Sequence, residues 1–439
     1  MIEVIQIFLH FALFVFFTYF PINKFTAPKI SQTFENSNFN FLFINTLILL
    51  FLFLIFSFFR INLNFVFLFI FFIYFLLFIL NFSKIIKELV STKKLHLKIL
   101  FFIICLGFFF NTAYNLEIGW DGLSIWIFKA NNFYNGKNYA DLFFDKVPYI
   151  QYPHLGSYIW AFFWKNSIIE KEYLGRIFYA YVYVVSLFVL INSIKNLTIS
   201  KKFFFILFII IFSFDYNNSM GGYQEYLIFS LLIFAVKIIE IFKSTKKKIN
   251  DNYLYLALMS NLILLSWIKN ESMFYSFFLL IIFIIEKKFN KKSLIFGILT
   301  FFIILLQIFS KKYFFELEKA FLFSLSFESI FKNFNISEFI NRIYFTTFYI
   351  FHSALKYPIS IINILSIILV IKYFKKLRSS FYLLLFFFMN LAFLYAVYMV
   401  TDAPLIWHLK TSIERLILQT SGLYIFLLIH LLNKKIIKI

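Results

Sequence analysis

The sequence predicts an all-α, polytopic transmembrane helix bundle of about 11–13 spans. Its 439 residues are 62% hydrophobic and only 14% charged, and the mean hydropathy is +0.85. Apolar runs close to the roughly 20 residues that a spanning helix needs recur from end to end. Soluble globular domains do not have this composition, so it indicates a multi-pass membrane protein.

The predicted spans are separated by short polar connectors. Some of them are shorter than a bilayer is wide, so they need local thinning of the bilayer or shelter within the protein. The spans lie at about 4–20, 41–59, 63–82, 99–111, 173–194, 203–214, 223–242, 253–268, 272–286, 293–309, 346–371, 381–400 and 416–432.

Lysine-rich connectors alternate with connectors that hold less common polar side chains. Positive charge beside short loops marks the cytoplasmic face, so the second set is predicted on the outer face of the membrane. The net charge of +21 is spread over these loops, which favours contact with anionic membrane lipid and argues against nucleic acid. The lysine-rich connectors are Lys84–Lys98, Lys195–Lys202, Lys243–Lys248, Lys287–Lys292, Lys372–Arg378 and Lys434–Lys438.

The chain divides into three predicted segments. Residues 1–98 form N-terminal spans, residues 99–310 form a transmembrane module that holds most of the candidate site residues given below, and residues 311–439 form an outer loop with the C-terminal spans. The module contains a large outer loop, 111–172, and a second long connector runs from Ser310 to about Thr346.

A short helix is predicted inside the large outer loop. Residues 123–130 mix apolar and polar side chains, as a helix lying in the membrane plane does. Asn135 and Gly136 favour the end of this helix.

Asp121 is the first candidate catalytic residue. It lies in Gly119-Trp120-Asp121-Gly122, in the large outer loop. A carboxylate at the membrane–water boundary can act as a general base towards a hydroxyl group, and Trp120 beside it is a candidate substrate contact. The alternative is that Asp121 caps a helix that begins near Leu123, since Asp is a favoured N-cap residue.

His154 and Glu225 are further candidates on the predicted outer face. His154 follows Tyr152 and Pro153 and could hydrogen-bond a phosphate or a sugar hydroxyl; an interfacial histidine without such a role is the open alternative. Glu225 opens a predicted span, where a carboxylate is costly unless it faces a cavity or a partner but is favoured near a helix N-terminus.

Lys269, Asn270 and Glu271 interrupt an otherwise apolar stretch from Tyr253 to Glu286. Three polar residues between short apolar arms predict a tight hairpin tip or a broken helix. Ionisable residues at membrane depth favour a functional role, here a binding contact in a polar cavity. The alternative is that Lys269 and Glu271 pair with each other.

The segment from Trp407 to Arg415 precedes the last predicted span. Hydroxyl groups with His and Arg on one helix face suit a phosphate or a pyrophosphate, and Lys410 adds a positive charge. The alternative is an interfacial Trp and Arg that anchor the span. At helical spacing that face carries His408, Thr411, Ser412 and Arg415.

With these residues assembled, the chain resembles the GT-C superfamily of membrane glycosyltransferases. That superfamily includes the protein O-mannosyltransferases and the lipid A aminoarabinose transferases. The resemblance covers roughly residues 99–290 and 400–416, and its motifs are short. It depends on Trp120-Asp121, Ala130, Asn135-Gly136, Tyr152-Pro153, Glu225, Lys269-Asn270-Glu271 and the Trp407–Arg415 segment.

The resemblance implies transfer of a sugar from a polyprenyl-phosphate donor to an extracytoplasmic acceptor, by inverting displacement at the anomeric carbon. Asp121 would match the catalytic acidic residue of the first outer loop, and Glu225 the acidic residue of the second. The departing lipid phosphate would be neutralised by a group whose candidates are His408, Lys410, Arg415 and Lys269. The chain departs from the pattern in having several spans, instead of one, before the catalytic loop, and in the offset of Glu117 from Asp121.

Two other function classes stay open: a transporter or flippase of lipid-linked sugars, and a polymerase or ligase of surface polysaccharide. Transporters often have paired broken helices, and the Lys269 interruption has no second copy in the sequence. Glycine loops of the nucleotide-binding type are absent from the sequence, which argues against a nucleotide-driven pump. No cofactor is assigned with certainty, and a divalent metal stays open.

A topology reporter tests the predicted sidedness. A reporter fused after Phe144 should read as periplasmic, because the large outer loop lies between two lysine-rich connectors. A cytoplasmic signal from this fusion would contradict the prediction that the candidate residues lie on the outer face.

Overall fold

In the computed structural model, 85% of the described residues are helical, and these residues contain no β-strand. The centre of the connector between Ser310 and Thr346 and the lysine-rich stretches 245–248 and 434–438 lie outside the described residues. The described residues are 2–21, 28–34, 38–90, 95–192, 194, 198–213, 221–244, 251–314, 335–377, 381–399, 401 and 404–433.

The described residues form eighteen α-helices and two π-helical turns, the turns at Gly122–Trp126 and Ser310–Phe314. In chain order the α-helices are α1 Ile2–Tyr19, α2 Pro28–Thr33, α3 Asn38–Phe56, α4 Leu63–Val90, α5 Leu95–Tyr114, α6 Ile127–Tyr134, α7 Tyr139–Phe144, α8 Leu155–Lys165, α9 Tyr173–Asn192, α10 Ile199–Ser213, α11 Glu225–Ser244, α12 Asp251–Ser266, α13 Asn270–Glu286, α14 Lys291–Phe309, α15 Ile336–Lys356, α16 Pro358–Leu377, α17 Phe381–Met399 and α18 Leu405–Asn433.

Eight helices in the described part of the chain are long and apolar enough to cross a membrane. Others fall short by length or by charge: α11 is 20 residues long, but it contains Lys237 and Glu240. The protein is therefore a multi-pass, all-helical membrane protein, and the span number of about 11–13 stays a prediction. The eight segments are Ile2–Tyr19, Phe39–Phe56, Leu63–Ser83, Leu95–Tyr114, Tyr173–Asn192, Lys291–Lys312, Tyr382–Met399 and Leu405–Asn433.

The chain forms two compact units. The first contains Met1–Asn192 and Tyr216–Met273, and the second contains Ser193–Asp215 and Phe274–Ile439. Of the residues that the sequence predicts as site residues, the three on α18 belong to the second unit and the others to the first.

Helix α9 lies at the centre of the first unit. It packs against α3, α5, α8 and α11, and every residue except Asn192 is buried. Two of its polar side chains have partners inside the unit: the Tyr179 hydroxyl donates to the Gly156 carbonyl at 2.7 Å, and Arg176 pairs with Glu172 at 2.7 Å. These contacts offset the free-energy cost of burying polar groups inside the protein.

Phenylalanine fills the interior of this unit as well as its outer surface. The Phe14 ring is fully buried and lies 4.8 Å from the Phe163 ring and 5.1 Å from the Phe178 ring, both edge-on. Each such pair contributes about 0.5–1.5 kcal/mol beyond its buried area. Phe65 on α4 is 69% exposed, as lipid-facing filler is. The 73 phenylalanines therefore serve both purposes.

The predicted helix in the large outer loop is present. The π-helical turn runs into α6, whose C-cap is Asn135, and Gly136 follows with φ +81°. Left-handed backbone of this kind favours glycine. Helix α7 was not predicted, and α8, which begins just after Pro153, is apolar and almost wholly buried.

The predicted span at 346–371 is wrong, because a break at Tyr357 divides it into α15 and α16. Tyr357 is extended, with φ −117° and ψ 114°, and Pro358 follows it. The proline ring disfavours helical backbone at the preceding residue, so the helix ends there.

The Arg60–Asp141 contact holds the large outer loop to the end of α3. Arg60 Nε donates to Asp141 Oδ2 at 2.9 Å, and Asp141 also accepts a hydrogen bond from the Asn138 backbone at 2.9 Å, closing a capping box. The hydrogen bond from Arg60 lowers the pKa of the Asp141 carboxyl. The ionised form is therefore favoured in the folded protein.

This contact predicts a pH-dependent contribution to stability. A lowered pKa stabilises the fold at pH above the unfolded value of about 3.9, and the stabilisation disappears as the pH falls through the folded value. The wild type should melt at a higher temperature than Asp141→Asn near pH 6, and the difference should shrink steadily as the pH falls below about 4 in the same micelles. Asp145→Asn, which changes an exposed carboxylate nearby, is the control. A difference that stays constant with pH would contradict the prediction.

Candidate functional site

Four glycines bring the Asp121 loop into backbone contact with the start of α11. The Gly119 amide donates to the Gly221 carbonyl at 2.9 Å. A Cβ atom on Gly122 would lie 2.4 Å from that same carbonyl oxygen, and Gly222 has φ +83° with the Trp160 ring 2.6 Å from its own Cβ position. Any larger residue at these positions would separate the two segments.

Asp121 and Glu225 meet at the ammonium group of Lys269. Lys269 Nζ lies 2.7 Å from Glu225 Oε1 and 4.0 Å from Asp121 Oδ2. The side chains of Lys269 and Glu225 are 4% and 1% exposed, and that of Asp121 is 11% exposed. The structure thus brings together three of the residues that the sequence singled out, from three separate connectors.

Asp121 makes no capping hydrogen bond with its side chain, although it precedes the π-helical turn. Its backbone is already helical, with φ −63° and ψ −37°, whereas an N-cap residue has extended backbone. The alternative role of Asp121 as a side-chain cap is therefore wrong. Its carboxylate is directed to the Lys269 side.

The predicted interruption at Lys269 is confirmed: α12 ends at Ser266 and α13 begins at Asn270. The Ser272 hydroxyl stabilises the connection, because it accepts from the Lys269 backbone amide at 3.1 Å. The ion pair with Glu225 replaces the predicted alternative of a pair with Glu271. The Oε2 atom of Glu271 is buried without a hydrogen-bond partner among the described residues.

Trp126 and Lys129 support the cluster from the outer loop. The Trp126 ring is fully buried, with Lys269 Nζ 6.0 Å and Lys129 Nζ 5.5 Å from its centroid. Lys129, also fully buried, donates to the carbonyls of Tyr149 at 2.9 Å and Tyr152 at 2.7 Å. A buried ammonium with two carbonyl partners fixes this part of the loop. Sequence reasoning missed this role, because the burial of Lys129 depends on the packing of other segments against the short helix.

Trp120 lies at the outer edge of the cluster. Its side chain is 61% exposed, and its ring meets that of Tyr149 at 6.2 Å in an edge-on arrangement. An exposed aromatic ring next to Asp121 can contact a ligand, as the sequence predicted, and that role stays a prediction.

His154 is enclosed by the protein. Its Nε2 atom lies 2.7 Å from Ser57 Oγ, and Ser57 donates its own proton to the Leu54 carbonyl at 2.6 Å, so Nε2 is the protonated nitrogen. The rings of Tyr139 and Trp267 flank it at 4.5 and 5.2 Å. This geometry favours the structural alternative at the start of α8, and binding of phosphate or sugar by His154 stays a prediction.

The three remaining predicted residues lie on α18, in the second unit. His408 Nδ1 lies 2.8 Å from Thr401 Oγ1, Arg415 Nε donates to the Thr411 carbonyl at 3.1 Å, and Lys410 is exposed. The predicted helix is present from Leu405 onward. Phosphate binding by these side chains stays a prediction.

Glycine usage was a signal that the sequence reasoning missed. The chain has only ten glycines, and six of them lie where backbone or side chains around the cluster approach closely. Gly156, for example, would place a Cβ atom 2.2 Å from Gln224 Cδ, and Gly175 one 2.2 Å from the Trp160 carbonyl. The six are Gly119, Gly122, Gly156, Gly175, Gly221 and Gly222.

No protein-family model, curated protein or solved structure matches this chain. Within the described residues, no group of three or more His, Cys, Asp or Glu side chains is arranged to hold a metal ion. The two carboxylates of the cluster have Lys269 between them.

A double-mutant cycle tests the buried ion pair. Glu225→Gln and Lys269→Met should each lower the free energy of unfolding by about 3–5 kcal/mol, because each leaves an uncompensated buried charge. The double variant should recover most of that loss. The measurement is unfolding by SDS titration in mixed micelles.

Glu271→Gln is the matched control for this cycle, because Glu271 lies next to the same connector and is part-exposed. It should change the free energy of unfolding by less than about 1 kcal/mol. Strictly additive losses from Glu225→Gln and Lys269→Met would contradict the ion pair.

Proposed function

We propose that this protein is a membrane glycosyltransferase that moves a sugar from a polyprenyl-phosphate donor to an extracytoplasmic acceptor. The observation that carries the proposal is the cluster of Asp121, Glu225 and Lys269. Its carboxylates come from the two outer connectors in which the GT-C resemblance expects acidic residues. The acceptor is a lipid, a glycan or a protein hydroxyl.

Asp121 is the catalytic base in this proposal. Glu225 is almost wholly buried and its Oε1 atom is paired with Lys269, whereas Asp121 is the more exposed carboxylate and lies 4.0 Å from the ammonium. A proton acceptor has to reach the hydroxyl of its substrate. Glu225 then acts as a positioning residue that holds Lys269 beside the base.

The reaction is a direct displacement. Asp121 takes the proton of the acceptor hydroxyl as the acceptor oxygen forms a bond to the anomeric carbon. The bond between that carbon and the phosphate oxygen breaks, and the polyprenyl phosphate leaves with the electron pair. Configuration at the anomeric carbon is inverted.

Negative charge develops on the leaving phosphate, and a positively charged side chain has to stabilise it. Lys269 is the candidate in the first unit, since its ammonium has a second carboxylate only at 4.0 Å. His408, Lys410 and Arg415 are the candidates on α18. The site opens to the periplasmic side of the inner membrane, as the lysine distribution predicts.

The proposal predicts that Asp121→Asn abolishes transfer. Removing a general base costs about 10²–10⁴-fold in rate, while the fold is kept because an amide has nearly the same shape as a carboxylate. The measurement is release of polyprenyl phosphate from a panel of short-chain polyprenyl-phosphate hexoses by the protein in nanodiscs, with inner-membrane lipid and glycan extracts as acceptors.

Glu117→Gln is the control, since Glu117 is an exposed carboxylate in the same loop and should retain full activity. If Asp121→Asn releases polyprenyl phosphate at the wild-type rate, Asp121 is not the catalytic base. The wild type could instead move the intact donor across the bilayer without releasing polyprenyl phosphate. That result would show a flippase and contradict the proposal.

A further inference from the structure

The Gln224 side chain is buried beside the candidate site without using its hydrogen-bonding capacity. It is 0% exposed, and neither Nε2 nor Oε1 has a hydrogen-bond partner among the described residues. The amide lies over Gly156, where a Cβ atom would be 2.4 Å from both of its polar atoms. The glycine thus leaves the space that the amide occupies.

Three other buried polar atoms around Lys269 also have no hydrogen-bond partner among the described residues. They are Trp126 Nε1, Glu225 Oε2 and Asn270 Oδ1, on residues that are 0%, 1% and 4% exposed. Glu225 touches Lys269, Asn270 follows it in the chain, and the Trp126 ring lies 6.0 Å from its ammonium. Most buried polar atoms in folded proteins are hydrogen-bonded, so each unpaired one needs an explanation, and beside a candidate site a bound ligand supplies one.

The balance of donors and acceptors defines the chemistry of that ligand. Gln224 Nε2 and Trp126 Nε1 donate, whereas Gln224 Oε1, Glu225 Oε2 and Asn270 Oδ1 accept. A phosphate group only accepts hydrogen bonds, so it would leave the three acceptors unmatched. An apolar chain would leave all five atoms unmatched. Neighbouring hydroxyl groups both donate and accept, as water does, so a ligand rich in hydroxyl groups matches the whole set.

We infer that Gln224, Trp126 and Asn270 form a subsite for the hydroxyl groups of a sugar, next to the Lys269–Glu225 pair. Gln224 is its specificity-determining residue, because one amide supplies both a donor and an acceptor. The inference rests on the proposed function, in which a sugar is the transferred group. Discrimination arises because a sugar that lacks the matching hydroxyl leaves a buried amide unpaired.

Binding of simple glycosides tests the subsite without requiring transfer. The probes are methyl α-mannopyranoside and methyl β-glucopyranoside, each with its permethylated counterpart, and binding to the full chain in nanodiscs is measured by saturation-transfer NMR. At least one native glycoside should bind about tenfold or more tightly than its permethylated form, because the methyl ethers cannot donate to the three acceptors. Equal binding of both forms, or binding of neither, would overturn the subsite.

Variants test whether the named residues bind the glycoside. Gln224→Leu and Trp126→Phe should each weaken binding of the native glycoside about tenfold. Gly156→Ala should do the same by displacing the amide, whereas Gly107→Ala, which meets no atom within 4 Å of its Cβ position, should have no effect. The melting temperature of each variant reports whether it folds, and wild-type affinity in folded Gln224→Leu would overturn the assignment.

Asp121→Asn separates this inference from the proposed function. The variant should bind the glycoside as the wild type does while losing transfer. Transfer that survives in Asp121→Asn removes the proposed base without affecting the subsite. Transfer that is lost as proposed, together with glycoside binding that is insensitive to Gln224→Leu, overturns the subsite alone.

Discussion

An ammonium group removed from water is stabilised only by the groups that it touches, and Lys269 touches Glu225 at 2.7 Å. That contact joins the break between α12 and α13 to the first residue of α11. Asp121, 4.0 Å away, brings in the large outer loop. Because a buried charge without its partner is so costly, the positions of all three segments depend on this pair, and so does the location of any chemistry at the site.

Charge attraction alone would not bring the outer loop so close. The loop carries its carboxylate between Gly119 and Gly122, and both glycines lie against the segment that begins at Gly221. Backbone meets backbone there, so Asp121 is held by the main chain and not by a long, flexible side chain. A carboxylate fixed in this way loses little entropy when a ligand binds to it.

The sequence was a good guide to local structure and a poor guide to pairing. Apolar periodicity predicted most helices within a few residues, and the polar interruption at Lys269 was visible because apolar arms flank it. Tyr357 was missed because the break there follows from the backbone of the residue before a proline, not from hydropathy. The partner of Lys269 lies 44 residues away, and no local pattern could choose Glu225 over the nearer Glu271. Gln224 and Lys129 escaped notice because their importance comes from burial, which depends on the packing of other segments.

The packing of helix α9 affects the order in which the first unit assembles. Its neighbours include α3, α5 and α8, which come before it or just beside it in the chain, and α11, which is synthesised later. Until α11 arrives, one side of α9 has no protein against it and faces lipid. The first unit therefore closes only when the segment carrying Glu225 has been inserted, so assembly of the interior and completion of the candidate site are the same event.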